Sequence, residues 1–192
     1  MIKVTEIDAA HKADINLPNE PFALFGRMIP SYTGETWSFE VERFPREKIG
    51  EMCFPDENYN YETLSQNSVF VGAYDGETCV GLAILQREIF KYFYLYDLKV
   101  SAAYRGRGIG GQLIAKSIEI ALAQGYRGLY TIGQDNNLGA CLFYLKHGFV
   151  IGGLDTHVYT GTSQEGKKDI LFYLDAATFG EGTDNNNGKT LS

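Results

Sequence analysis

Apolar and polar positions change rhythm along the chain. Val69 to Tyr74 and Thr78 to Gln86 read as two strands joined at Asp75-Gly76, a strong hairpin signal. Tyr92 to Val100 is a third, strongly apolar strand that ends Asp97-Leu-Lys-Val100. The period then lengthens: Ile109, Leu113, Ile118, Ala121 and Leu122 form a stripe that predicts a helix from Ile109 to Gln124, stopped by Gly125. Leu129 to Ile132 is the next strand. Asn136 or Asn137 can cap a helix running to His147, which Gly148 ends. Phe149 to Leu154 and Ile170 to Leu174 are the last strands, with His157 to Thr160 assigned to the same ladder.

The first third is more mixed. Ile2 to Ile7 and Phe22 to Ile29 read as strands, and Trp37 to Phe44 alternates as a half-buried strand should. Tyr32-Thr-Gly-Glu suits a hairpin connection between the last two. Arg46 to Met52 and Tyr59 to Asn67 read as short helices. From Glu181 the chain turns polar and rich in Gly and Asn, the composition of a disordered tail. The whole predicts one domain over 1–176: an α/β (α+β) mixed sheet whose central strands are joined by a crossover helix.

Composition narrows the function. Among 192 residues, 44% are hydrophobic and 14% aromatic, which suits one well-buried globule. A net charge of −7 argues against nucleic acid as a partner, since that footprint is basic. It suits solubility or a cationic substrate. Cys53, Cys79 and Cys141 are odd in number and lack Cys-x-x-Cys spacing, as in a protein with reduced thiols. His11, His147 and His157 form no pair with ligand spacing, so no metal is expected. No signal peptide or membrane-length apolar run is evident, and the expected location is cytoplasmic, away from membranes.

The most informative run is Tyr104-Arg-Gly-Arg-Gly-Ile-Gly-Gly111, between a strand and the long helix. Gly106, Gly108, Gly110 and Gly111 let a ligand approach the backbone, and the unpaired N–H groups of the helix start attract an anion. Arg105 and Arg107 add positive charge. Three phosphate-binding patterns compete. Gly106, Gly108 and Gly111 satisfy G-x-G-x-x-G, but Ser101 to Arg105 intervene after the strand, and no acid falls about 20 residues on. Gly110 to Ser117 approaches a P-loop, yet its Lys116 lies two turns inside the helix. The third is the [Q/R]-x-x-G-x-[G/A] loop, matched by Arg105-Gly-Arg-Gly-Ile-Gly110.

With that loop, the strand ending in Val100, and Asn137-x-x-Ala140-x-x-Phe143-Tyr144-x-x-x-Gly148-Phe149 downstream, the chain resembles the GNAT superfamily of N-acetyltransferases over about residues 68–175. The resemblance implies a mostly antiparallel central sheet with a splayed central strand pair flanked by helices, a fold in which dimers are common. It implies acetyl-CoA as co-substrate, without a metal. Its pyrophosphate would lie on the loop from Arg105 through Gly106, Arg107, Gly108, Ile109 and Gly110 to Gly111. Its pantetheine arm would lie along Leu98 and Val100, with Asn137, Ala140 and Tyr144 beside it.

By the same resemblance Tyr144 is the acid that protonates the departing thiolate. Many relatives place a glutamate base where this chain has Ile132; Asp97, Asp135, Glu40 and Glu42 are the carboxylates that could replace it, Asp97 first. Around Asp135 to Thr156, and at Phe25-Gly-Arg-Met-Ile-Pro30, the chain resembles the streptothricin acetyltransferases of Gram-positive bacteria. That implies a small cationic amine as acceptor, bound in the region 1–67, with Glu40, Glu42, Glu62 and Asp135 as candidates to attract it. Acetylation of a protein N-terminus, a lysine or a polyamine, or CoA binding without chemistry, are the alternatives.

Overall fold

The computed structural model describes residues 1–179, so the tail expected from Glu181 lies outside the described residues. Eleven strands and three helices are described: β1 (Ile2–Glu6), β2 (Phe22–Leu24), β3 (Gly26–Tyr32), β4 (Trp37–Arg43), β5 (Gly50–Met52), α1 (Tyr61–Leu64), β6 (Ser68–Asp75), β7 (Thr78–Gln86), β8 (Tyr92–Val100), α2 (Ile109–Ala123), β9 (Gly128–Gln134), α3 (Leu138–Lys146), β10 (Val150–Asp155) and β11 (Asp169–Asp175). Seven strands form one sheet in the order β1-β6-β7-β8-β9-β11-β10, and two small ladders pair β2 with β5 and β3 with β4.

The β6–β7 hairpin closes as its sequence predicts, with Gly76 at a φ of +61° in the tight loop between Asp75 and Thr78. Both strands are buried almost throughout, because each face of this half of the sheet is covered. On one face, Ile109, Leu113, Ile114 and Ile118 of α2 join the main core with Val71, Ala73 and Val80. On the other, Ile15, Leu17, Tyr61 and Leu64 close over Phe70, Leu82 and Ile84.

Among the described strands only β8 and β9 pair in parallel, with α2 as their crossover. Their pairing covers Tyr92 to Tyr94 against Gly128 to Tyr130 and then stops, while β8 continues to Val100 and β9 to Gln134. This is the splay that the resemblance implied, and the chain segment leading from β8 into α2 flanks it.

Several local expectations fail in instructive ways. The 22–29 strand divides at Phe25 into β2 and β3, which serve different ladders. The helix expected over 46–52 is one 3-10 turn, Arg46–Lys48, followed by β5, because β2 takes Gly50 to Met52 as its partner. The helix over 59–67 shrinks to the single turn α1, capped by Asn60 Oδ1 accepting from Thr63 N at 2.8 Å. Residues 157–160 are turns rather than strand: Asp155 Oδ1 accepts from His157 N and Val158 N at 2.8 and 3.0 Å and curls the chain away from the ladder. Ala9–Asn16, a 3-10 segment capped by Asp8, was not expected at all.

Packing between β9 and β11 is close enough to exclude a methyl group. A Cβ on Gly128 would stand 2.0 Å from Leu174 O, a backbone atom that cannot step aside. Gly128→Ala is expected to destabilise the protein by about 2–4 kcal/mol. Urea unfolding followed by far-ultraviolet circular dichroism measures this.

Candidate active site

The splay opens into a cleft of about 990 Å3 lined by β8, β9, the loop before α2 and its first turn, α3 and the segments near residues 18–25 and 54–59. Backbone geometry prepares its central wall. Ser101 N donates to Val80 O at 3.0 Å, and Lys99 and Asp97 stand opposite Leu82 and Ile84 of β7. Alternation therefore turns the main-chain groups of Leu98 and Val100 away from β7, toward the gap. A bulge places Tyr96 between the pairs Leu85–Leu95 and Ile84–Asp97, and Tyr96 lines the cleft.

The glycine run divides into two functions. Gly106 and Gly108 hold φ of +76° and +79°, and a Cβ on either would meet open space. They shape the loop and leave its approach clear. Gly110 and Gly111 are packing residues: a Cβ would meet the Phe143 ring at 2.8 Å or His147 Nε2 at 2.8 Å. They let the start of α2 lie against α3. Gly108 caps α2 without a side chain, and Gln112 N is the first amide to reach back, to Gly108 O at 3.2 Å. The amides of Ile109, Gly110 and Gly111 are therefore left to the cleft they line, where the helix dipole favours an anion.

The two arginines differ from expectation. Arg105 donates through Nε to Val100 O at 3.0 Å and through Nη1 to Pro21 O at 2.7 Å, with Glu20 Oε2 3.8 Å away. It is a strut between the loop and the N-terminal segment rather than a free charge. It also occupies the Val100 carbonyl that was expected to face a pantetheine arm. Arg107 lies over the Tyr104 ring at 4.9 Å, and Tyr104 in turn donates to Asp75 Oδ2 at 3.1 Å.

Asn137 is the residue that caps α3, its Oδ1 accepting from Ala140 N at 3.2 Å. Its side-chain NH2 is not used by that cap, and both Asn137 and Ala140 line the cleft. One turn on, Tyr144 also lines it, packed between Phe143, Phe149 and Phe172. Burial pushes its phenol up to about 12, so it stays protonated at neutral pH.

Asp97 lines the cleft as expected. Burial raises its proton affinity above the ordinary carboxylate value, against the pull of Lys99, whose Nζ is 3.0 Å from Oδ2. Asp135, Glu40 and Glu42 are not brought there. Asp135 is buried in a knot: its Oδ1 accepts from Lys168 N at 3.0 Å, and its carbonyl accepts from Met28 N at 2.9 Å. Glu40 and Glu42 lie on the exposed hairpin strand β4, and Glu62 binds Lys12 at 2.6 Å, all outside the cleft lining.

The cleft is lined as well by acids and tyrosines that the motifs did not single out: Glu57, Tyr59, Tyr94, Tyr96, Tyr159 and Asp169. Tyr159 donates to Asp169 Oδ1 at 2.8 Å, and burial raises that carboxyl's proton affinity. Lys99 was missed although it stands two positions from Asp97, which puts both on one face of a strand. Among the described residues, no group of three His, Cys, Asp or Glu is placed to hold a metal. No helix of the described residues is long and apolar enough to cross a membrane.

Residues 34–149 match the Acetyltransferase (GNAT) family. The chain belongs to the GNAT acetyltransferase family. Among its relatives, streptothricin acetyltransferase A of Bacillus subtilis strain 168 is 34% identical over 160 residues, covering 83% of this chain and 92% of that protein. A Bacillus anthracis protein described as a candidate streptothricin acetyltransferase, solved with acetyl coenzyme A, superposes with a TM-score of 0.79 at 27% identity, covering 91% of this chain and 98% of the other. Nourseothricin acetyltransferase shares the fold, with a TM-score of 0.73 at 21% identity over 91% of this chain and 98% of its own. In this GNAT protein a glycine loop, a splayed strand pair and a helix carrying a tyrosine meet in one cleft.

Gly108 gives a direct test of the loop. Gly108→Glu puts a strained L-residue at a φ of +79° and an anion at the helix start. The variant's own melting temperature is expected to fall by about 2–8 °C from the strain, and most of the further rise that CoA gives the wild type is expected to be lost, both measured by differential scanning fluorimetry with and without CoA.

Proposed function

We propose that this chain transfers acetyl from acetyl-CoA to a primary amine of a small cationic molecule of the streptothricin type. One observation carries the reading: the helix start that suits a pyrophosphate, the free edge of β8 and the buried phenol of Tyr144 all face one cleft, with Asp97 in its wall. The streptothricin relatives support the acceptor class, as does the acid and tyrosine lining of the acceptor end.

In this reading the amides of Ile109 to Gly111 hold the pyrophosphate, and the main chain of Leu98 and the Val100 amide pair with the pantetheine arm. Asp97 accepts the proton of the incoming ammonium, and the free amine attacks the thioester carbonyl. As the carbon–sulfur bond breaks, Tyr144 donates its proton to the leaving sulfur. Much of the rate comes from holding amine and thioester together in a narrow cleft. The free thiols of Cys53, Cys79 and Cys141 suit a cytoplasmic enzyme. The dimer common in this fold is the assembly we expect of it.

The test is a thiol-release assay with acetyl-CoA against streptothricin, aminoglycosides, polyamines and peptides. Streptothricin is expected to give the highest kcat/KM. Release with a peptide and none with streptothricin would overturn the acceptor assignment. Tyr144→Phe is expected to lower kcat by about 10²-fold, within the range of general acid catalysis, with CoA affinity nearly unchanged.

The pH profile follows from Asp97. A base must be deprotonated to work, and burial raises the proton affinity of this one, so activity should fall on the acid side at a pH above the usual carboxylate value of about 3.9. Tyr144, pushed up to about 12, should impose no loss on the alkaline side below pH 10. Profiles of kcat/KM for wild type and Asp97→Asn check both limbs; the acid limb should vanish in the variant.

A further inference from the structure

Acyl transfer as described gives no role to Lys99, a partly buried cation in the cleft wall. Lys99 is held with its side chain 11% exposed, and its Nζ donates to Glu57 Oε2 at 2.8 Å and to Asn19 Oδ1 at 3.2 Å. The same nitrogen lies 3.0 Å from Asp97 Oδ2. Asn19 and Glu57 belong to the two segments that wall the acceptor end.

Those segments are fastened to each other without help from β8. Asn16 Nδ2 donates to Tyr59 O at 3.0 Å, and Tyr59 N donates to Asn16 Oδ1 at 2.7 Å. Asn19 donates through Nδ2 to Pro55 O at 2.8 Å and to Glu57 Oε2 at 2.9 Å, and through its amide to Asp56 Oδ1 at 2.6 Å. Arg105 and the Ala102 amide tie residues 20–21 to the glycine loop, at the cofactor end. At the acceptor end, Lys99 joins this wall to β8 by hydrogen bonds, beside the contact of the Tyr59 ring with the Tyr96 ring at 6.2 Å.

We propose that Lys99 is a positioning residue whose ammonium ties the acceptor wall, 16–20 and 55–59, to the central strand and holds the Asp97 carboxylate in the cleft. The roles of wall and carboxylate rest on the acetyl-transfer reading; the tether itself does not. Lys99 is suited to the task because an ammonium is a point donor with three N–H groups, and here three oxygens from three segments converge on it. Removing it leaves Glu57 and Asp97, two partly buried carboxylates, facing each other without a counter-charge, which drives wall and strand apart.

The charged and titratable groups facing Asp97 are Lys99 on its own strand, Glu57 and Tyr59 on the wall, and Tyr144 on α3. Their signs give opposed predictions. Lys99 favours the ionised carboxylate, so its loss moves the titration of Asp97 to higher pH. Glu57 disfavours it, so Glu57→Gln moves the titration to lower pH.

The experiment uses the full chain with CoA bound and compares wild type, Lys99→Met, Lys99→Arg and Glu57→Gln. Amide hydrogen exchange reads the wall, and carbon-13 carboxyl resonances read Asp97. Lys99→Met and Glu57→Gln are expected to speed exchange at 16–20 and 55–59 about tenfold, as for a lost charge-assisted bond, with α2 and β6 unchanged. The Asp97 titration should move up in Lys99→Met and down in Glu57→Gln, and Lys99→Arg should restore part of both properties. Unchanged exchange in the wall, or an Asp97 titration that ignores both substitutions, overturns the proposal. Should Lys99→Met lose α2 protection as well, Glu57→Gln alone decides the matter. Absence of CoA-dependent stabilisation in the wild type would instead sink the acetyl-transfer reading and leave the tether measurable by the same exchange data.

Discussion

The structure depends on where one ladder stops. Tyr94 against Tyr130 is the last main-chain pair between β8 and β9, and one residue further the hydroxyl of Thr131 reaches across to Leu95 O at 2.8 Å. Beyond that bridge the strands part. A parallel pair of full length would satisfy the amides and carbonyls of Leu98 and Val100 within the sheet, and no cleft would form. Because the pair stops, those groups need another partner, as buried main-chain groups do. Arg105 meets that need at the Val100 carbonyl. The crossover helix between β8 and β9 necessarily starts beside the gap, so its unpaired amides and the free strand edge fall together.

Loop and helix contact impose different demands on neighbouring glycines. Gly106 and Gly108 are needed for backbone angles that L-residues avoid, whereas Gly110 and Gly111 are needed because Phe143 of α3 and His147, which caps its C-terminus, come within 3 Å of where a Cβ would stand. His147 Nδ1 is within 2.8 Å of Phe143 O, and the two rings lie 4.2 Å apart, so that surface of α3 is fixed. The run thus joins the anion site to the helix that carries Tyr144. Moving α3 outward by the width of a methyl group would shift the phenol as well as the loop.

How much of this was legible follows from the range of the contacts. The β6–β7 hairpin, α2 and α3 could be read because turn, stripe and cap lie within a few residues of each other. The glycine loop, Asn137 and Tyr144 were readable for the same reason. Local signal failed at β5, whose strand state comes from pairing with β2 nearly 30 residues away, and at 157–160, where Asp155 turns the chain. It failed also for the acceptor end. Glu57 faces Lys99 across 42 residues and Tyr159 reaches Gln134 across 25, so no spacing rule brings them together. The charge of Arg105 was readable, but not that backbone carbonyls would occupy it.

A net charge of −7 suits the cationic acceptor proposed for the cleft, but most of that charge lies outside it. Exposed carboxylates such as Glu40 are screened within a Debye length of about 8 Å at physiological salt, so they contribute little to a cation inside the cleft. Within the cleft, Lys99 already balances one of the two carboxylates it touches, which leaves Glu57 and Asp97 with a net charge of one. Asp169 adds a carboxyl whose proton affinity is raised by burial and which Tyr159 contacts. Under the proposed function, attraction for a cation in the cleft would depend on a few partly buried groups set among Tyr59, Tyr94 and Tyr96, where the local dielectric is low and interactions are strong. The same low dielectric makes an unbalanced pair of carboxylates costly. A site that, as proposed, draws an ammonium in and then removes its proton needs both conditions at once: enough negative charge to attract, and an internal cation that keeps the base ionised while it waits.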